Sequence, residues 1–166
     1  MTSRVIFGGV PGMVPADIKK MQQYILEESP EADFHFYGEN VLSREELLEV
    51  ARGASVLVSW DQPMDEDLYE ALDLKAYCAA SIGFDAANIK AASKNGVYVA
   101  NAPDYCTNEV ASHALAFILA LYRRFYSAVD YVKAGHWDLS PMEATKRFEN
   151  STVGIVTFLT GLMLNF

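Results

Sequence analysis

The chain has 166 residues, 51% of them hydrophobic and 21% charged, so it can bury one ordinary core without disulfide or metal staples. Its net charge of −9, with Lys and Arg scattered, argues against a nucleic-acid surface or an anionic membrane surface, because both require clustered cations. No uncharged apolar run approaches the roughly 18 residues a membrane helix needs, which excludes that class as well.

The first hundred residues alternate short β-rich runs with helical stretches. Val5-Ile6-Phe7 reads as a strand and ends in the turn residues Gly8, Gly9, Pro11 and Gly12. Helical spacing then puts Ile18, Met21, Ile25 and Leu26 on one face. Phe34 to Tyr37 is a second strand, and Ser43 with Glu46 forms a capping box for a helix through Val50. Ser55 to Ser59 is a third strand, followed by a short helix near 65–71 whose acidic start, Asp65-Glu66-Asp67, suits a solvated first turn. Lys75 to Ala79 is a fourth strand. Asp85 is expected to cap a helix to Lys94, with Asn95-Gly96 as its left-handed stop, and Val97 to Val99 is a fifth strand. Such alternation predicts an α/β fold with a mostly parallel sheet and helices on both faces.

The pattern changes after Pro103. Thr107 is expected to cap a helix, with Glu109 in its first turn. From Val110 to Tyr122 that helix is apolar almost all round, so something beyond one small sheet has to pack on it. A second helix spans about Tyr126 to Ala134 and ends at Gly135. After an irregular connection, Thr152 to Val156 reads as a further strand.

Cys78 and Cys106 lack metal-ligand spacing and read as two reduced, mostly buried thiols of a cytoplasmic protein. The start, Met1-Thr2-Ser3-Arg4, has no signal-peptide apolar region. His113 is expected to be packed and hydrogen-bonded, His35 to neighbour the core, and His136 to be exposed. The three are not spaced as a metal set, so no metal site is expected.

In an open parallel sheet, ligands bind at the carboxyl ends of the strands. Two such ends are notable here. Ala80-Ser81-Ile82-Gly83-Phe84-Asp85 follows the fourth strand, and its backbone N–H groups could cradle a carboxylate or phosphate. Asn101 to Thr107 follows the fifth. On spacing alone, both read first as ordinary strand-to-helix turns.

The set Ile82-Gly83-Phe84-Asp85, Ala91-Ala92, Gly96-Val97, Asn101-Ala102-Pro103, Asp104-Tyr105-Cys106-Thr107, Glu109-Val110-Ala111, His113 to Ala116, Arg123-Arg124, Ala134 to Asp138 and Thr152 to Val156 resembles the D-isomer-specific 2-hydroxyacid dehydrogenases. The version from Pro103 to Thr107 is most similar to the branch of phosphoglycerate-dehydrogenase-like and C-terminal-binding-protein-like members. The resemblance is dense over 75–156; before that it rests on the β–α pattern alone.

The resemblance implies a flavodoxin-like substrate domain over 1–103, inter-domain and dimerisation helices with a connector over 104–150, and the start of an NAD-binding Rossmann domain over 151–166. It implies that Ser81, Ile82, Gly83 and Cys106 meet a small 2-hydroxy or 2-keto acid, and that Ile82 and Thr107 meet NAD. It also implies a homodimer through 107–134.

The sequence departs from the family pattern at several places. Thr157 to Leu162 replaces the glycine-rich dinucleotide turn, and the catalytic Arg, Glu and His of the family lie beyond the matched stretch. Ala79 stands where Arg is common, and Ser112 where an acid is common. The expectation is therefore a truncated piece of a dehydrogenase that carries no catalytic residues and does no chemistry alone. The alternatives are a non-catalytic interaction module and an independent flavodoxin-like small-molecule binder.

Overall fold

The computed structural model describes residues 3–138 and 147–156. It separates into two compact units, Met1–Tyr105 and Cys106–Phe166.

The first unit is a five-stranded, all-parallel sheet in the order β2-β1-β3-β4-β5, which is the flavodoxin-like order. Its strands are β1 (Arg4–Gly8), β2 (Asp33–Phe36), β3 (Val56–Ser59), β4 (Ala76–Ala79) and β5 (Tyr98–Ala100). The crossovers are α1 (Pro15–Glu28), α2 (Arg44–Val50), α3 (Glu66–Ala71) and α4 (Ile89–Lys94).

Side-chain alternation divides the sheet into two faces. In register, Ile6, Leu57, Tyr77 and Val99 form one row across four strands. That row packs with Leu47, Ala51, Leu68, Tyr69, Ala91 and Ala92 from α2, α3 and α4, and this is the main core. Val5 and Phe7 are buried on the other face, toward which a right-handed crossover carries α1. The coverage there is thin: Val56, Val58, Ala76 and Cys78 are only half-buried, and Tyr98 is 80% exposed.

Local chemistry fixes the helix starts. The Ser43–Glu46 capping box forms as expected, with Ser43 Oγ accepting from the Glu46 N–H. Asp65 caps α3 by accepting from the Leu68 N–H, and it pairs with Arg44 at 3.2 Å. Asp85, however, caps nothing. The Met64 N–H donates to Ala86 O, the Asn88 N–H donates to Met64 O, and Ala87 bridges Met64. These bonds hold the chain out of helical geometry through Ala87, so α4 starts three residues later than expected and Asn88 caps it by accepting from the Ala91 N–H at 3.1 Å.

The second unit contains α5 (Thr107–Tyr122), α6 (Phe125–Lys133) and a short 3-10 turn at Phe148–Asn150. Cys106, not Thr107, occupies the cap position of α5, and its side chain makes no capping bond. No strand forms over 152–156: those residues are irregular, since a strand needs a neighbour to satisfy its N–H and C=O groups and none pairs with it among the described residues. The altered glycine-turn positions from Thr157 onward lie outside the described residues.

Candidate functional site

Parallel strands bring their carboxyl ends to one edge, so the segments after β1, β3, β4 and β5 gather there. The 80–85 loop is built at that edge by bonds from its neighbours. The Ala80 N–H donates to Ser59 O at 2.9 Å, which extends the β3–β4 ladder by one residue. The next three carbonyls are then each taken by a protein donor. Ser81 O accepts from the Ala102 N–H at 3.0 Å, Ile82 O from Asn101 Nδ2 at 2.9 Å, and Gly83 O from the Ser81 hydroxyl at 2.6 Å.

Consecutive carbonyls anchored in this way leave the amides as the loop's unused groups. Among the described residues nothing accepts from the N–H groups of Ile82, Gly83 and Phe84. Ile82 is half-buried, while Gly83 and Phe84 are exposed, so these donors are open to a ligand. An anion is what such a row of amide dipoles attracts.

The roles inside the loop differ. Ser81 is 6% exposed, and its single hydroxyl proton goes to Gly83 O; Trp60 O lies further away at 3.5 Å. Ser81 therefore shapes the loop with its side chain. Gly83 has no left-handed φ, and a Cβ added there would meet nothing closer than Asp85 Oδ2 at 3.8 Å. Its lack of a side chain leaves free space beside the amides. Asp85 places a negative charge close to the same spot, which works against an anion at long range.

A polar network that sequence reasoning missed braces the same edge. The Tyr37 hydroxyl donates to Ser59 Oγ at 3.1 Å, and Gly9, in left-handed conformation, lies so close that a Cβ would sit 2.6 Å from that oxygen. The Tyr77 hydroxyl donates to Gln62 O at 3.0 Å, and the Gln62 amide bonds both Leu42 N–H and Leu42 O. Burial pushes Tyr77 and Tyr37 above the usual phenol range, with the Ser59 bond partly offsetting it for Tyr37, so both remain protonated donors at neutral pH. The glycine pair Gly8-Gly9 at the end of β1 was the available signal, since it marks a close backbone approach.

The first unit thus brings Ser81, Ile82 and Gly83 together with Asn101 and Ala102. Cys106 and Thr107 belong to the second unit, where they open α5. Cys106 and Cys78 are free thiols, half-buried where fuller burial was expected, and desolvation raises the Cys78 thiol above its ordinary value. His113 is exposed, in place of the packed position expected, and its ring meets Phe117 edge-on at 4.4 Å. The reason is that α5 buries no residue within this chain. His35 and His136 are also exposed, the latter stacked on Tyr131 at 4.5 Å. Among the described residues no group of three His, Cys, Asp or Glu could hold a metal ion, and no helix is long and apolar enough to cross a membrane.

Comparison with known proteins places this geometry in context. The sequence model described as D-isomer specific 2-hydroxyacid dehydrogenase, catalytic domain, matches residues 13–161. A glyoxylate reductase of Thermococcus onnurineus is 37% identical over 101 residues, which is 60% of this chain and 30% of that protein. A glyoxylate reductase of Pyrococcus furiosus is 32% identical over 115 residues, 68% of this chain and 34% of that protein. The match thus spans about a third of those relatives' length. A solved D-lactate dehydrogenase from Aquifex aeolicus, complexed with NAD and lactic acid, has a TM-score of 0.68 at 22% identity, covering 86% of this chain and 40% of that one. At that identity it shows a shared fold.

Proposed function

Because the chain belongs to the D-isomer specific 2-hydroxyacid dehydrogenase family, which it matches over residues 13–161, we propose that its 80–85 loop receives the carboxylate of a small 2-hydroxy or 2-keto acid. One observation carries this reading: the carbonyls of Ser81, Ile82 and Gly83 are all anchored by protein donors, while the amides of Ile82, Gly83 and Phe84 have no acceptor among the described residues.

Each residue then has a distinct task. Ile82 and Gly83 donate backbone N–H groups to the carboxylate oxygens, and Ser81 holds the loop in shape from beneath. Asn101 and Ala102 fix the loop to the end of β5. The bound carboxylate holds the neighbouring carbonyl or carbinol carbon at a defined distance from the sheet edge, which is the positioning part of catalysis. NAD is the proposed cofactor, and it supplies or accepts the hydride when bound. The half-buried apolar side chain of Ile82 suits the face of an uncharged ring.

The relatives carry about twice as much further sequence outside the matched stretch. We assign the proton donor and the main cofactor contacts to that part of the protein, so the 166-residue chain alone is expected to bind weakly and to turn nothing over. Calorimetric titration tests the binding. Glyoxylate should bind at millimolar strength, and its neutral amide analogue should bind at least about tenfold more weakly, since charge-assisted bonds are roughly twice as strong as neutral ones. Equal affinity for the acid and the amide would remove the carboxylate reading. Rapid NADH oxidation by the isolated chain would remove the claim that it does no chemistry alone.

A further inference from the structure

The charges around the 80–85 loop are of one sign. The segments that leave β1, β3, β4 and β5 at the carboxyl edge are residues 9–14, 60–65, 80–88 and 101–105. They contain Asp61, Asp65, Asp85 and Asp104, all exposed, and no Lys, Arg or His. Asp65 is paired with Arg44 at 3.2 Å, whereas the other three have no ion-pair partner among the described residues. Arg44 also reaches Asp67, and Lys94 pairs with Glu66 and Glu70. Lys90, in the first turn of α4, offsets one charge at most.

The three unpaired carboxylates belong to the residues that build the loop. Asp85 Oδ2 lies 3.8 Å from where a Cβ on Gly83 would be. Asp61 follows Trp60, whose carbonyl oxygen is 3.5 Å from Ser81 Oγ. Asp104 closely follows Asn101 and Ala102, which donate to Ile82 O and Ser81 O. The loop therefore offers neutral donors within a negative surrounding. Amides in direct contact hold one carboxylate through short, charge-assisted bonds. A second negative charge on the same ligand lies beyond those bonds and meets three repulsions.

We propose that this edge selects 2-keto or 2-hydroxy acids of single negative charge, and that Asp61, Asp85 and Asp104 reject those bearing a second carboxylate or a phosphate. The inference rests on the loop being the carboxylate site, and it adds which substrate side chains that site tolerates. Discrimination of this kind comes from repulsion of the wrong ligand, with no added contact to the right one. At about 10 Å in water one like charge weakens binding roughly twofold, so three together weaken it roughly eightfold. The effect is largest at low ionic strength, where the screening length reaches about 30 Å.

Two ligands of equal length separate charge from shape: 2-oxoglutarate and 5-methyl-2-oxohexanoate, in which an isopropyl group replaces the distal carboxylate. Both are titrated into the labelled full chain at low ionic strength, and the Ile82, Gly83 and Phe84 amide resonances are followed. The monoanion should bind at least about fivefold more tightly, and about 0.5 M salt should shrink that ratio. In the triple variant Asp61→Asn, Asp85→Asn, Asp104→Asn, with its sheet resonances unchanged, the ratio should fall about fivefold. Equal affinities in the wild type, or a ratio that the triple variant leaves unchanged, would overturn the proposal while leaving the carboxylate loop in place. Failure of both ligands to move the three amides would overturn the loop reading, and this selection with it.

Discussion

At the scale of single residues, the binding proposed for the 80–85 loop can be separated from folding. Gly83 is exposed with open space where a Cβ would go, so Gly83→Ala should leave thermal stability unchanged or slightly raised, by no more than about 1 kcal/mol, through the unfolded chain. The same methyl would crowd the free amides, so glyoxylate affinity should fall. Asp85→Asn should act in the opposite direction: removing the carboxylate near Gly83 should strengthen glyoxylate binding about two- to fivefold at low salt, and the gain should shrink as salt is added. No change in affinity with either variant would place the ligand elsewhere. The two buried tyrosines of the core offer a contrast in stability. Among the described residues the buried Tyr69 hydroxyl has no hydrogen-bond partner, whereas that of Tyr77 donates to Gln62 O. Tyr77→Phe should therefore cost about 1–2 kcal/mol in urea unfolding, and Tyr69→Phe should cost nothing or stabilise. Desolvation pushes Tyr69 up to about 12 from an ordinary 10.0. The folded state holds that proton more tightly than the unfolded one, so the associated stability is complete below pH 10 and is lost as pH rises from about 10 to about 12. Tyr69→Phe should flatten that part of the pH–stability curve.

At the scale of elements, the sequence predicted type and order better than it predicted junctions. All five strands of the sheet and α1 to α3 lie where hydrophobic period and the Ser43–Glu46 box put them, because those signals are local. The start of α4 was not legible, since it is decided by Met64, a residue more than twenty positions away that bonds Ala86 and Asn88. Asn88→Ala should consequently cost about 1 kcal/mol of stability, as a lost cap does, while Asp85→Ala should change it by less than about 0.5 kcal/mol. The reverse order would restore Asp85 as the cap. The loop itself was legible as a strand end opening toward a helix. What made it a donor array was not: that depends on Asn101 and Ala102 reaching across from β5. The apolar, all-round character of α5 was visible in the sequence, but the same pattern led to an expectation of burial for His113 that the single chain does not provide.

For the whole molecule, the family assignment and the loop geometry support one reading of the first unit: a sheet whose carboxyl edge presents backbone donors to a small acid. The most direct test is a 15N-HSQC titration of the labelled chain with glyoxylate. The Ile82, Gly83 and Phe84 resonances should move together along one saturating curve, downfield in the proton dimension as the amides acquire a charged acceptor. In Asn101→Ala, where Ile82 O loses its tether, those shifts should shrink while the sheet resonances stay in place. Saturating shifts confined to other residues, or none at these three amides at molar excess of ligand, would contradict the assignment of this loop.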